Sequence, residues 1–143
     1  MSILNQLNDI YKIATFNIAS NNYEINQLKK YSKITLPQDF IEIIKEKTEI
    51  EINVKNKKYI RIWGAQNSLE LNEAYMFKEY LPNSLAIGDD EGEYAFVYYD
   101  GAQGYGIYAI AFNDLDPDEM FYISPSLEAL LVEGDGLTTI LSL

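Results

Sequence analysis

The stretch Ile87-Gly88-Asp89-Asp90-Glu91-Gly92-Glu93-Tyr94-Ala95-Phe96-Val97-Tyr98-Tyr99 decides how this chain is read. Its second half is aromatic and β-branched, the composition of a strand that packs on a pleated surface. Its first half runs into an acidic turn, so two strands joined through residues 89–93 are expected. Gly92 is expected to supply the positive φ that other residues resist. Four carboxylates exceed what a turn requires, because one or two polar residues suffice and like charges repel. Asp89, Asp90, Glu91 and Glu93 are therefore read as part of a working surface, with Gly88 and Gly92 as structural turn residues.

Further segments fall in a recognisable order around this hairpin. Leu36-Pro37-x-Asp39-Phe40 opens a helix, Trp63 ends a hairpin-like segment, Ile87 to Gly92 precede an aromatic strand, and a final helix ends in Glu133-Gly134. Over roughly residues 21 to 136 this resembles the SUKH superfamily, which includes a fungal regulator of cell-wall glucan synthesis and many bacterial immunity proteins against secreted toxins. One departure is Gly92-Glu93, where family members often carry Gly-Gly. The resemblance implies a non-catalytic protein-binding domain, an immunity protein that sequesters a toxin domain such as a nuclease. Its alternative implication is a regulatory or scaffold module like the fungal regulator.

Composition sets bounds independently of that resemblance. A chain of 143 residues reads as one domain spanning 1–143, long enough to bury a core without staples. Its 48% hydrophobic and 13% aromatic content argues against disorder. There is no cysteine, hence no disulfide framework and no thiolate metal site. The net charge of −11, from 22 acidic and 11 basic residues, argues against nucleic-acid binding and suits a basic protein partner. No apolar run approaches the roughly 18 residues of a membrane span, and the N-terminus lacks a basic, apolar secretory signal. A cytoplasmic protein is expected, and its oligomeric state is left open.

Periodicity predicts the elements. Ile3, Leu7, Ile10 and Ala14 fall at helical spacing, which predicts an amphipathic helix over 3–14. A second helix is expected over 23–33, and a third from Pro37 to near Thr48. Residues 49–54 alternate polar and apolar, 55–57 turn, and 59–63 return as a second strand. Residues 68–80 read as a helix closed by Leu81-Pro82-Asn83. Strands are expected over 107–112 and 120–123, then a helix over Leu127–Glu133 that Gly134 stops. Short turns between strands imply a largely antiparallel sheet in an α+β fold. The N-terminal helices are expected to cover one face, leaving the other partly open, with a short helix at the C-terminus.

The residue chemistry favours binding. Asp114, Asp116 and Asp118 reproduce the opening spacing of a calcium loop, but Glu119 stands at its glycine and Pro125 at its bidentate glutamate. No metal or cofactor is expected. Without histidine or cysteine the usual catalytic base and thiol nucleophile are missing, and no nucleophile elbow or phosphate loop occurs. A carboxylate pair acting as a hydrolase is the catalytic alternative that remains. Tyr98, Tyr99 and Tyr105, beside the acidic turn, are read with it as an amphipathic surface for a partner. Alternation sends about half the strand tyrosines into the core, and Trp63 is read as a core anchor.

Overall fold

The structure, a computed structural model, describes residues 2–143. The elements run β1 (Tyr11–Asn17), α1 (Asn22–Tyr31), α2 (Gln38–Ile44), β2 (Thr48–Val54), β3 (Lys58–Ile62), α3 (Ala65–Ala74), α4 (Phe77–Tyr80) and β4 (Leu85–Asp89). They continue through β5 (Tyr94–Gly101), β6 (Gly104–Ala111), β7 (Phe121–Ser124), α5 (Leu127–Glu133) and α6 (Leu137–Ser142). All seven strands form one antiparallel sheet in the order β1-β2-β3-β4-β5-β6-β7. The expected α+β fold with an antiparallel sheet is what the chain adopts. Strand order equals chain order, so the earlier and the later strands occupy the two lateral halves of the sheet, while α5 reaches back to β1.

Local signals explain most of these elements. Asn21 caps α1 by accepting from the Glu24 N–H while Glu24 accepts from the Asn21 N–H, a reciprocal capping box. Ser126 caps α5, and Gly134 ends it at φ 75°, the left-handed stop expected of a C-terminal glycine. In β2 the buried residues Ile50, Ile52 and Val54 alternate with half-buried Glu51 and Asn53.

Three expectations are corrected. Residues 3–14 are not one helix: a 3-10 turn at Leu4–Gln6 leads into β1. The exposed backbone edge of β2 recruits Tyr11 and Ile13 into pairing with Val54 and Ile52, and the Tyr11 hydroxyl donates to the Leu130 carbonyl at 2.7 Å. Tertiary pairing thus overrides helical spacing. The helix expected over 68–80 begins at Ala65 and breaks at Met76, whose φ of 59° is left-handed, so that Phe77 turns inward as α4. The third helix ends at Ile44, and Thr48 already belongs to β2.

The sheet carries a core on each side. One face buries Ile50, Ile52, Ile60, Ile62, Phe96 and Tyr98 with residues of α1, α2 and α5, as expected for the N-terminal helices. The reverse face is less open than expected. There Trp63, Ala95, Val97, Tyr108 and Ile110 pack with Phe77 and Leu81 of the α4 segment.

The join between α3 and β4 rests on two buried side chains, Asn72 and Ser68. β3 has ended before it can flank Ala86, and Asn72 takes the place of the missing strand. Its Nδ2 donates to the Ala86 carbonyl at 2.8 Å and to the Ser68 carbonyl at 2.7 Å, while its Oδ1 accepts from the Ala86 N–H at 3.0 Å. The Ser68 hydroxyl also donates to the Ala86 carbonyl.

Candidate functional site

The acidic turn between β4 and β5 is held by its own carboxylates. Asp89 accepts from the indole N–H of the fully buried Trp63 at 2.8 Å and from the Glu91 N–H at 2.8 Å. Asp90 is buried, accepts from the Gly92 and Tyr94 N–H groups at 2.9 and 3.1 Å, and lies 3.8 Å from the Lys58 ammonium. Two of the four carboxylates therefore do what the backbone of a sharp turn needs, which corrects the view that folding leaves them unexplained. Glu91 pairs with Arg61 at 3.4 Å, and Arg61 also reaches Glu51 at 3.1 Å. Partial burial and the Glu51 carboxyl raise the Glu91 pKa above its ordinary value, against the opposing pull of Arg61. Glu93 is exposed.

The turn's backbone differs from expectation too. Glu91, not Gly92, takes the left-handed conformation, at φ 60°. Gly88 is the glycine the hairpin requires, because a Cβ there would run into the Arg61 carbonyl oxygen of β3. A Cβ on Gly92 would meet nothing nearer than the Asp90 Oδ1 at 3.3 Å. Gly88→Ala should therefore lower stability by about 3 kcal/mol, the upper range for overpacking. Gly92→Ala should cost under about 1 kcal/mol, within the range for a mild contact. Urea midpoints of the two variants check this, and an equal loss in both would show that the close approach at Gly88 is relieved by backbone movement.

Tyr98 is not available to a partner, contrary to expectation. It is 1% exposed, and its hydroxyl donates to Asp39 at 2.9 Å while accepting from the Leu127 N–H at 3.1 Å. Asp39 also accepts from the N–H groups of Phe40, Leu127 and Glu128, so one carboxylate joins the start of α2, the start of α5 and β5. Burial first, and Asp39 second, drive the Tyr98 pKa far above its ordinary value. Tyr105, 48% exposed, stacks on the Tyr98 ring at 5.8 Å, and burial and Asp39 raise its pKa as well. Tyr99 points to the reverse face, edge-on to Tyr108 at 6.1 Å and half-buried.

These residues do not make a single site. Tyr99 lies six residue steps along the strand from Glu93, about 20 Å at 3.3 Å per residue. Tyr99 and Tyr105 also lie on opposite faces. What the turn reading missed is the distribution of charge over the rest of the chain. All 11 lysines and arginines lie at or before Lys78, whereas residues 79–143 carry thirteen carboxylates and no basic residue. With strand order following chain order, that imbalance becomes lateral. β1 to β3 and the turn joining β2 to β3 carry Lys12, Lys55, Lys57, Lys58 and Arg61, whereas β4 to β7 and their connections carry nine carboxylates and no lysine or arginine. Asp100, Asp114, Asp118 and Glu119 are exposed there. The cations of β3 pair with Asp90 and Glu91 at the β3–β4 seam. β7 lies four strand spacings away, about 19 Å at 4.8 Å each and beyond a Debye length of about 10 Å at 0.1 M salt, so they screen the outer carboxylates little.

The carboxylates of the 113–119 segment do not converge. Asp116 accepts from the Asp118 N–H at 2.9 Å, capping the 3-10 turn Pro117–Glu119. Among the described residues no three acidic side chains come together as a cation site, and no helix is long and apolar enough to cross a membrane.

An α+β architecture built as an antiparallel meander, helices on both faces, is the class this geometry defines. A family model described as the SMI1 / KNR4 family (SUKH-1) matches residues 21–133, and the chain belongs to that family. A search of curated proteins finds no match. The 3-10 turn at Leu4–Gln6 and β1 precede the matched region.

Proposed function

We propose that this protein is a non-catalytic, cytoplasmic protein-binding domain of the immunity type, which sequesters a basic toxin domain by covering it. The observation that carries this reading is the one-sided charge: a half-sheet whose strands and connections carry nine carboxylates and no lysine or arginine attracts a basic surface and repels acidic ones. Membership of the SUKH-1 family supports a binding role. The acidic turn belongs to this half, but Asp89 and Asp90 act there inside the fold, so the exposed carboxylates beyond it are the ones that meet a partner.

The basic region of such a toxin is the part that engages its own acidic substrate, such as nucleic acid. Covering it blocks access without any chemistry from the inhibitor. Affinity capture from the native cell is expected to recover a basic protein in a stable complex, with the captured protein's activity suppressed until the complex is separated by salt. Recovery of an acidic partner, or of a basic partner that stays fully active in the complex, contradicts the reading.

A further inference from the structure

On the reverse face, where α3 meets α4, an aromatic cleft of about 400 Å³ opens between that junction and the loop after β6. Tyr75 and Phe112 form its wall, with ring centroids 4.7 Å apart, and Phe112 leans in turn on Trp63 at 6.5 Å. Tyr80, 59% exposed, stands at the mouth, and Leu115 lines the cleft. Asp114 and Asp116 line it as well, and no lysine or arginine does. The nearest cation in sequence, Lys78, is held elsewhere, with its ammonium 3.9 Å from the Tyr31 ring.

Exposed aromatic rings on a rigid wall are unusual at a surface without an occupant. Here Tyr75 is anchored to the core through Phe112 and Trp63, so that wall is already ordered before anything binds. We infer that this cleft receives an arginine side chain from a basic protein partner. The guanidinium stacks against Tyr75 or Tyr80 and its N–H groups reach Asp114 or Asp116. Charge complementarity selects the occupant: a cleft with aromatic faces and two carboxylates, within a half-sheet that carries no cation, favours a planar cation over an apolar or anionic group. Arginine suits it better than lysine because the guanidinium can stack and donate at once. This inference rests on the proposed capture of a basic protein and names where its anchor lies.

The test uses the full chain and two short peptides, acetyl-Gly-Arg-Gly-amide and the same peptide with citrulline, which keeps the shape and removes the charge. Each is titrated at low salt while the aromatic and backbone NMR signals are followed. The arginine peptide should shift the Tyr75, Tyr80 and Phe112 signals at millimolar concentration, and the citrulline peptide should bind at least about tenfold more weakly. Tyr80→Ala and D114N/D116N, both at the surface, should each weaken the arginine peptide by about fivefold or more. D116N retains an acceptor for the Asp118 N–H, and unchanged remaining signals would confirm the fold. Shifts distributed over Asp100, Glu128 and Asp135 without focus on the cleft would overturn the cleft assignment while leaving the wider acidic surface intact. No shift at any acidic residue with either peptide would count against both.

Discussion

Asn72→Leu should lower the folding free energy by about 3 kcal/mol, among the largest losses expected of any single change in this chain. Leucine is similar in size, so the effect does not come from a cavity. It comes from the N–H and carbonyl of Ala86, which Asn72 satisfies in a buried place, whereas the Ser68 carbonyl keeps its helical N–H partner within α3. Leaving such groups unpaired costs about 1–3 kcal/mol each, partly offset where the Ser68 hydroxyl still reaches the Ala86 carbonyl. Asn72→Asp should be nearly as damaging at neutral pH. It keeps an acceptor for the Ala86 N–H but presents a carboxylate to two carbonyl oxygens. Chemical denaturation decides it, and a loss below about 1 kcal/mol for Asn72→Leu would show that α3 does not hold β4 through this side chain.

Asp39 should be a similarly sensitive position. Asp39→Ala removes the acceptor for the Tyr98 hydroxyl and for the N–H groups at the start of α5, and should cost about 3 kcal/mol. Tyr98→Phe leaves Asp39 with its backbone donors and should cost about 2 kcal/mol, as expected for a hydrogen bond to a charged group. The two variants separate further at high pH. The Tyr98 phenol has its pKa raised by burial and by Asp39, so the folded state keeps a proton that the unfolded chain releases above about pH 10. The stability from this group is fully present below pH 10. It falls by about 1.4 kcal/mol per pH unit above it, since the unfolded state then binds fewer protons. Tyr11, pushed up to about 12 by burial, acts with the same sign. Tyr98→Phe should therefore flatten the alkaline decline, leaving the contributions of Tyr11 and of Tyr31, Tyr105 and Tyr122, whose pKa values burial also raises. An alkaline slope identical to that of the native chain would mean that the Tyr98 phenol ionises freely in the folded state.

The elements that could be read from sequence are those whose cause is local. The strand at 49–54 shows its two-residue alternation, and α5 carries both its start signal at Ser126 and its stop at Gly134. β1 is different, because helical spacing and strand alternation overlap between Ile10 and Ala14. The choice is made by the open edge of β2, which lies more than thirty residues downstream. The break at Met76 has no glycine to announce it, since a non-glycine residue occupies the left-handed region there.

The candidate site shows the same division. Turn composition marks residues 89–93 as a turn but cannot show that Asp89 bonds Trp63 or that Asp90 holds two N–H groups. Alternation places Tyr98 and Tyr99 on opposite faces without saying that α2 and α5 bury the first. The segments that carry the family resemblance turn out to brace the fold: Asp39 ties α2 to α5, Trp63 meets Asp89, Gly88 admits the β3 backbone and Gly134 ends α5. Such a pattern identifies the fold and leaves partner choice to residues outside it.

The measurement that tests the central claim most directly is the association rate with the captured basic partner, at 0.1 M and 1 M salt. It compares the native chain with two neutralised variants. One replaces Asp100, Asp114, Asp118 and Glu119 by Asn and Gln on the acidic half, and the other replaces Glu24, Glu46 and Glu70 by Gln on the opposite half. Long-range attraction weakens as the Debye length shrinks from about 10 to about 3 Å, so the native rate should fall by at least about tenfold at high salt. The first variant should associate slowly at both salt concentrations, and the second should behave as the native chain does. An association rate indifferent to salt and to the first set of substitutions would contradict the claim and place the partner surface elsewhere on the fold.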